Sequence, residues 1–383
     1  MFGKAFIHKT GSWMDKIYYR FFPFQNDELS LDNANEHNHG TGNIIDLRDM
    51  NDKEFLEHAK PDLEKLEKLR IIKFAVYKLR KKIALPLCAV LLPITAYIDY
   101  LLLWFQRGSD DGAAGLTFFV AGGIYWWVTQ PKREYTRAYK EKILPKLAKV
   151  FGEFIYKLDG KIPIETLEGS NILPKHDRYE TEDYFQGTYK GIAMEFSEIN
   201  LKQKRRSKNR TYYVSVFKGL AIVLDMKTKK FLGHTILEKN KSKIAEWFKE
   251  KSSKMKRARM ADPEFEKFFD AYTNDQVEAR YIIDPLMIEN LKGLYEEYKG
   301  ESMSAAWYNS KMFILIASKH NHFEPADIHI PATDKESVLS MKHEIGQILN
   351  IVDRLELFDP KAIEEEKAKH SNNNQDMLEA SAS

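Results

Sequence analysis

The sequence predicts an α+β protein in which a two-span transmembrane helical hairpin precedes a cytoplasmic domain of mainly antiparallel sheet with packed helices. Three observations predict it. Two apolar runs stand seven residues apart near residues 83 and 130, alternating apolar positions recur after residue 160, and capped amphipathic helices follow late in the chain. The 383 residues divide accordingly. Residues 1–60 form a partly disordered cytoplasmic N-terminal region, 61–82 a charged juxtamembrane helix and 83–130 the hairpin; 131–360 are the cytoplasmic domain and 361–383 a disordered tail.

Composition narrows the function classes. Lys plus Arg total 59 against 56 Asp plus Glu, a net charge of +3, so no global positive field points to nucleic acid. The single Cys, Cys88, excludes an internal disulfide framework and any multi-Cys zinc or iron–sulfur site.

From the N-terminus, KIYYRFFPF (Lys16 to Phe24) is aromatic and basic and could rest on a membrane surface. No apolar core suited to a cleavable signal precedes it. Asn26 to Gly42 is polar, and its HxH, His37 and His39 with Glu36, is a poor metal signal that reads as a solvated loop. After Pro61 a charged helix runs into the membrane. Ile83 to Phe105 then gives 23 residues with Asp99 as the only charge. Ala113 to Gln130 gives 18 uncharged residues, closed by Tyr125, Trp126 and Trp127 as an interfacial belt.

Arg70, Lys73, Lys78, Arg80, Lys81 and Lys82 precede the first span; Lys132, Arg133, Arg137, Lys140 and Lys142 follow the second. The loop between holds one Arg and two Asp, which places both termini in the cytoplasm. Gly115, Gly122 and Gly123 read as points of close helix approach. Asp99, an intramembrane acid, is a candidate for a relay or transport role that two spans could serve only by oligomerising.

Beyond the hairpin, Leu144, Leu147, Phe151, Phe154 and Leu158 make a helical stripe that Pro145 should kink or break. Ile192, Met194 and Phe196 alternate as a strand. Tyr212 to Phe217, Leu220 to Leu224, Phe231 to Leu237 and Met312 to Ala317 continue the series, separated by Gly or charged turns. Asp284-Pro285 reads as a helix start, with Met287, Leu291, Leu294 and Tyr298 buried. Thr333 and Glu336 have capping-box spacing, and Val338, Met341, Ile345, Ile348, Val352 and Leu355 form the buried seam of the last helix.

Motifs with chemistry are few: there is no Gly-rich phosphate loop, nucleophile elbow or helical zinc signature. His320 and His322 alternate and would share one face of a strand, but a polar loop is the default reading, and no metal or other cofactor is assigned. Asp275, Glu278, Arg280 and Asp284 crowd one segment; an Arg among carboxylates points first to a structural ion-pair network and only then to acid–base work. Two basic clusters suit an anionic bilayer surface better. Lys202 to Arg210 places six basic residues in nine, with Lys204, Arg205 and Arg206 as lipid-contact candidates. The second, Lys239 to Met260, offers Trp247, Phe248, Lys249, Lys251, Lys254, Lys256 and Arg257.

The segment DPEFEKFFDAYTNDQVEARYIIDPLMIENL (Asp262 to Leu291) resembles the bacterial domain of unknown function 3137 family, sometimes labelled galanin-like. The residues that carry it are Asp262, Pro263, Phe265, Glu266, Asp275, Glu278, Arg280, Tyr281 and Pro285. The order continues in KREYTRAYKEKILPKL (Lys132 to Leu147) and in EDYFQGTYKGIAMEFSEI, with Glu182, Asp183 and Gly187. It continues again in FKGLAIVLDM, with Phe217 and Gly219, and ends at the FEP of Phe323 to Pro325. The chain departs from the pattern at Met260-Ala261 and Phe269-Asp270. The resemblance implies a bacterial membrane protein with a two-span anchor and a cytoplasmic domain of unassigned activity, and it transfers no catalytic residue.

The expected function is a membrane-anchored interaction or scaffold domain contacting anionic membrane lipids and a protein partner, with nucleic acid not expected. The alternatives are a membrane-surface enzyme using Asp275 to Asp284, or an oligomeric transport component using Asp99.

Overall fold

The computed structural model describes residues 51–105, 115–207, 210–226, 232–239, 255–258, 268–297 and 302–355. Helix α1 (Asp52–Phe105) and helix α2 (Leu116–Val150) come first and pack against each other. Then follow β1 (Ile155–Lys157), the short α3 (Ile164–Gly169), and three long strands, β2 (Arg178–Tyr189), β3 (Ile192–Ser207) and β4 (Arg210–Asp225). β5 (Thr235–Lys239), β6 (Lys256–Ala258) and β7 (Phe269–Thr273) precede α4 (Gln276–Ile282) and α5 (Pro285–Glu297); β8 (Met303–Tyr308), β9 (Lys311–Ala317) and α6 (Lys335–Arg354) complete the fold. The strands form one sheet in the order β1-β2-β3-β4-β9-β8-β5-β7-β6, with every pair antiparallel.

The central strands are apolar on both faces, which tells what covers them. Leu220, Ile222 and Leu224 of β4, with Met312, Ile314 and Ile316 of β9, enter the larger core under the helices. Ala221 and Val223, with Phe313 and Leu315, enter a smaller core on the opposite face with Ile162, Leu167 and Ile172 from the α3 region. The last helix buries its expected seam, Val338, Met341, Ile345, Ile348 and Val352, on the larger core. Its cap differs from the expected box: Asp334, not Thr333, accepts the Ser337 amide at 3.0 Å.

The two long helices do double duty. α1 has 54 residues, about 80 Å of helix. Its first turns bury Phe55, Ala59, Leu63 and Leu66 in the larger core, so the helix begins well before Pro61, which lies inside it. α2 buries Tyr135, Tyr139, Ile143, Leu144, Leu147 and Val150 in the same core and continues through Pro145 without a break, ending at Val150 before Phe151 and Phe154. Between these packed ends and the helix tips, large apolar side chains point outward: Leu85 is 75% exposed and Phe118 and Phe119 are each 81% exposed.

Among the described residues one helix, α1, is long and apolar enough to cross a membrane, and little of its apolar stretch is buried. The expected second span does not reach that standard. Its described apolar part, residues 116–130, is 15 residues or about 22 Å, short of the roughly 30 Å of a bilayer core. Residues 113 and 114, counted into that span from the sequence, lie outside the described residues, as do the N-terminal motifs, 240–254 and 356–383.

Two glycine readings change. Gly122 and Gly123 have nothing within 4 Å of a Cβ position, so they do not mediate the packing of α2 on α1. Gly219, read as a turn between two strands, lies inside the continuous β4 at φ +152°, where an added Cβ would meet the Ile316 carbonyl oxygen at 2.0 Å. Gly219→Ala is therefore expected to cost about 3 kcal/mol or more in a melting experiment, through strain and the clash with β9. Gly122→Ala should stay within about 1 kcal/mol of the parent and not lose stability.

Candidate functional site

Where α2 crosses the sheet, six elements and the loop after β9 bring ionisable groups together. Lys140 projects from α2 with its side chain 3% exposed, and its ammonium donates to Asp183 Oδ2 and to Glu324 Oε1, both at 2.7 Å. Asp183 is fully buried, and its other oxygen accepts the Tyr156 hydroxyl of β1 at 2.6 Å. Beside them Glu198 of β3 accepts the His322 backbone N–H at 2.9 Å and lies 3.7 Å from the Lys218 ammonium. Glu344 of α6 accepts the Phe323 N–H at 2.7 Å. Under the ionic groups lies an aromatic layer: Phe185 and Phe196 stack at 4.6 Å, and the Phe323 ring sits 5.1 Å from Phe185.

Local backbone geometry explains how the groups converge. The β2–β3 register slips between Glu182 and Phe185, a bulge that places Asp183 at φ +54° and turns its carboxylate inward under α2. Phe323 is also left-handed at φ +57°, although a bulky residue rarely adopts that conformation. Each such residue costs on the order of 1–3 kcal/mol and persists only where its surroundings over-determine it. Here the Glu344 contact and the aromatic layer hold Phe323, which in turn aims Glu324 at Lys140.

Electrostatically the cluster carries more carboxylates than cations. Burial opposes the Lys140 charge, but Asp183 and Glu324 outweigh it and hold its pKa above the ordinary lysine value. Burial pushes the Glu198 carboxyl up to about 7 against the opposing pull of the His322 amide and Lys218. Burial also raises Glu344, with Glu324 and Asp183 adding to the effect. Glu182, Asp183 and Glu324 present oxygens within 4.8 Å of one another, an all-oxygen set suited to a hard divalent cation. A cation there would compete with Lys140 for two of its three partners.

The residues singled out from the sequence separate. Glu182, Asp183 and the FEP segment reach this cluster, whereas Gly187 serves packing: a Cβ there would meet the Glu153 carbonyl at 2.7 Å. Phe217 belongs to the smaller core. The acidic segment is a set of caps. Asp275 accepts the Val277 and Glu278 amides at the start of α4, and Asp284 accepts the Met287 amide at the start of α5. Glu278 binds the amides of Leu232 and Gly233, while Arg280 and Tyr281 are exposed. His322 and His320 lie in a loop beyond β9, so the two rings share no strand face.

Asp99 accepts the Leu116 and Thr117 amides at 3.2 and 3.0 Å and the Thr117 hydroxyl at 2.8 Å, capping α2 from the neighbouring helix. Lys204, Arg205 and Arg206 are exposed on β3, and Lys256 and Arg257 lie on the edge strand β6, with Arg257 paired to Asp270 at 2.7 Å. Trp247, Phe248, Lys249, Lys251, Lys254, Asp262, Pro263, Phe265 and Glu266 lie outside the described residues. A separate cleft of about 300 Å³ opens over β2, β3, β4 and β9, with Gln186, Glu195, Asp225 and Lys311 in its wall.

In the sequence Lys140 reads only as a flanking positive charge. Its spacing from Tyr135 and Tyr139 places it beside the buried face of α2, the one signal that could have marked it.

Lys140→Met should cost about 3–5 kcal/mol in a denaturant melt, because Asp183 and Glu324 lose the cation that neutralises them. Adding Asp183→Asn should recover much of that loss, since Asn tolerates the left-handed backbone. The pH response has a definite sign. Glu198 has a folded pKa near 7 against an ordinary 4.5, so its contribution to stability is full below about 4.5 and is lost as pH rises through 7. Stability measured in detergent should therefore rise from pH 8 to pH 5.5. Glu198→Gln should flatten that rise and gain on the order of 2 kcal/mol at pH 8.

Residues 215–357 match the model of a family described as a protein of unknown function, DUF3137. The match includes the FKGLAIVLDM stretch from Phe217, Asp262 to Leu291 and the FEP, while the quoted stretches at Lys132 and Glu182 lie upstream of it. No curated protein matches the chain. Among solved structures, the crystal structure of the mycobacterial trehalose monomycolate transport factor A, TtfA, aligns at 9% identity and a TM-score of 0.28, covering 53% of this chain and 88% of that one. A likeness that slight transfers neither fold nor role. The chain resembles the DUF3137 family, with residues 215–357, from within β4 to just beyond α6, carrying the match.

Proposed function

We propose that this chain is a membrane-anchored interaction or scaffold protein. In this reading a two-span hairpin holds the α+β domain at the cytoplasmic face of the bacterial inner membrane, where it contacts anionic lipid and a protein partner. The carrying observation is that α1 and α2 pass unbroken from an outward-facing apolar segment into the core of the domain. The domain is built onto the anchor with no linker between them, so its orientation to the bilayer is set by the helices.

Hairpin contacts support the two-span form. Asp99 caps α2 at the loop end; at the other, Arg80 donates to the Trp127 carbonyl at 2.8 Å and to Gln130 at 3.0 Å. Lys73 pairs with Glu134 at 2.6 Å one step further on. The polar ties thus stand at the two ends of the apolar stretch, with outward-facing apolar side chains between, as a lipid environment favours. The residues of the competing readings have structural uses: the acids of the Asp275 segment bind backbone amides, and Asp99 accepts from the first turn of α2.

In a Cys88→Ser background, Ser109→Cys should react with an impermeant thiol reagent on intact cells and Ser371→Cys should not. Labelling of both positions, or of Ser371→Cys alone, would contradict the topology.

A further inference from the structure

We infer that the ribbon formed by the free ends of β3 and β4, residues 203–207 and 210–214, reaches the bilayer surface end-on, with Lys204, Arg206 and Tyr213 on one face and Arg205 and Tyr212 on the other among anionic headgroups. The inference rests on the membrane-anchored reading above and names the surface that touches lipid.

Direction is the first part of the evidence. Two contacts align β2 with α2: a Cβ at Gly152, just past α2, would lie 3.1 Å from the Thr188 carbonyl, and Lys140 lies 2.7 Å from Asp183. Between them the helix side advances twelve residues, about 18 Å, and the strand five, about 17 Å. Equal advances mean that β2 runs alongside α2, away from the apolar segment. β3 is antiparallel to β2 and therefore runs back toward it. β9 runs the same way as β3, and the chain beyond it brings Asp327 to Lys132 at the apolar end of α2, 2.9 Å apart.

Reach is the second part. Glu198 pairs with Glu182 at the level of Lys140. From there to Arg206 is eight residues of strand, about 26 Å, whereas the helix needs only about 15 Å to run from Lys140 back to Gln130. Even at a 45° tilt the ribbon spans about 18 Å along the helix direction, enough to meet the start of the apolar segment.

Composition is the third. β2 stops pairing with β3 at Arg178–Lys202, and β9 stops pairing with β4 at Ala317–Gly219, so beyond these points neither strand pairs with a third among the described residues. A two-stranded ribbon alone is marginal in water. Its side chains suit an interface: Lys204, Arg205 and Arg206 are exposed, and Tyr212 and Tyr213 are 50% and 36% exposed directly opposite Arg205 and Lys204. No acidic residue occurs between Glu198 and Asp225 to offset them. At the base Arg178 stacks on Tyr213 at 3.6 Å and Asp177 accepts the Lys204 amide, which fixes where the ribbon leaves the sheet. Basic side chains with tyrosines on an exposed ribbon also suit nucleic acid, but the anchor holds this one beside a lipid surface.

The test uses the full chain with Cys88→Ser, reconstituted in vesicles of phosphatidylcholine alone or with phosphatidylglycerol. An environment-sensitive dye on Ser207→Cys is read against spin-labelled lipid, with Glu153→Cys at the far end of the domain as the control. The expected result is quenching at position 207 in the anionic vesicles, reduced by high salt and absent at position 153. Replacing Lys204, Arg205 and Arg206 by Gln should weaken the contact by roughly fivefold per cation. Retention on vesicles at alkaline pH reports the anchor separately. Retained protein with no quenching at 207 at low salt overturns the ribbon contact and leaves the anchor standing; protein stripped from the vesicles overturns both. Ribbon-dependent binding of a fluorescent single-stranded oligonucleotide, without quenching, would reassign the ribbon to nucleic acid.

Discussion

Much of this structure depends on one buried ion pair, Lys140 with Asp183, and its extension to Glu324. A lysine 3% exposed and an aspartate fully buried are costly to desolvate, and such pairs seldom add net stability over apolar substitutes. What the pair supplies is position. It joins the helix that emerges from the apolar segment to the middle of the sheet, and through Tyr156, Glu324 and Glu344 it draws in β1, the loop after β9 and α6. Asp183 and Phe323 both occupy left-handed backbone conformations at this junction, so the chain accepts local strain to bring the partners together.

That junction gives the apolar helical segment and the domain a mechanical relation. A domain on a flexible tether would sample many orientations. Here α1 and α2 are at once the outward-facing apolar hairpin and two of the helices that close the larger core. A shift of one helix against the other would have to pass through the Lys73–Glu134 pair, the packed Tyr135 and Tyr139, and the Lys140 cluster. The proposed scaffold role, with one face held toward the bilayer, would draw on this fixed geometry, as would the proposed ribbon contact.

The polar groups that looked most chemical from the sequence turn out to complete backbone hydrogen bonding. Asp275 and Asp284 satisfy helix starts, Glu278 satisfies two loop amides, and Asp99 satisfies the first turn of α2. An unpaired amide in an apolar setting is expensive, so an acid beside a helix N-terminus has a structural use before it has a catalytic one. Glycines divide in the same way: Gly219 and Gly187 are required by close approach, whereas Gly122 and Gly123 face open space.

Periodicity by itself determined the α+β class, the apolar helix, the strand cores at Ile192–Phe196 and Met312–Ala317, and the buried seam of α6, because burial on one face imposes a repeat that any reader of the chain can find. Asp284 as the start of α5 was equally legible, since a cap acts within one turn. Boundaries and roles were not. Pro145 reads as a kink or break and Pro61 as the point after which a helix starts, yet tertiary packing carries both helices through these prolines. The Lys140 site was invisible because its partners lie 43 and 184 residues away in sequence, and a surface lysine and a buried one are the same letter. Only the folded chain decided which of its many charges lost water, since desolvation depends on what packs around a group in space.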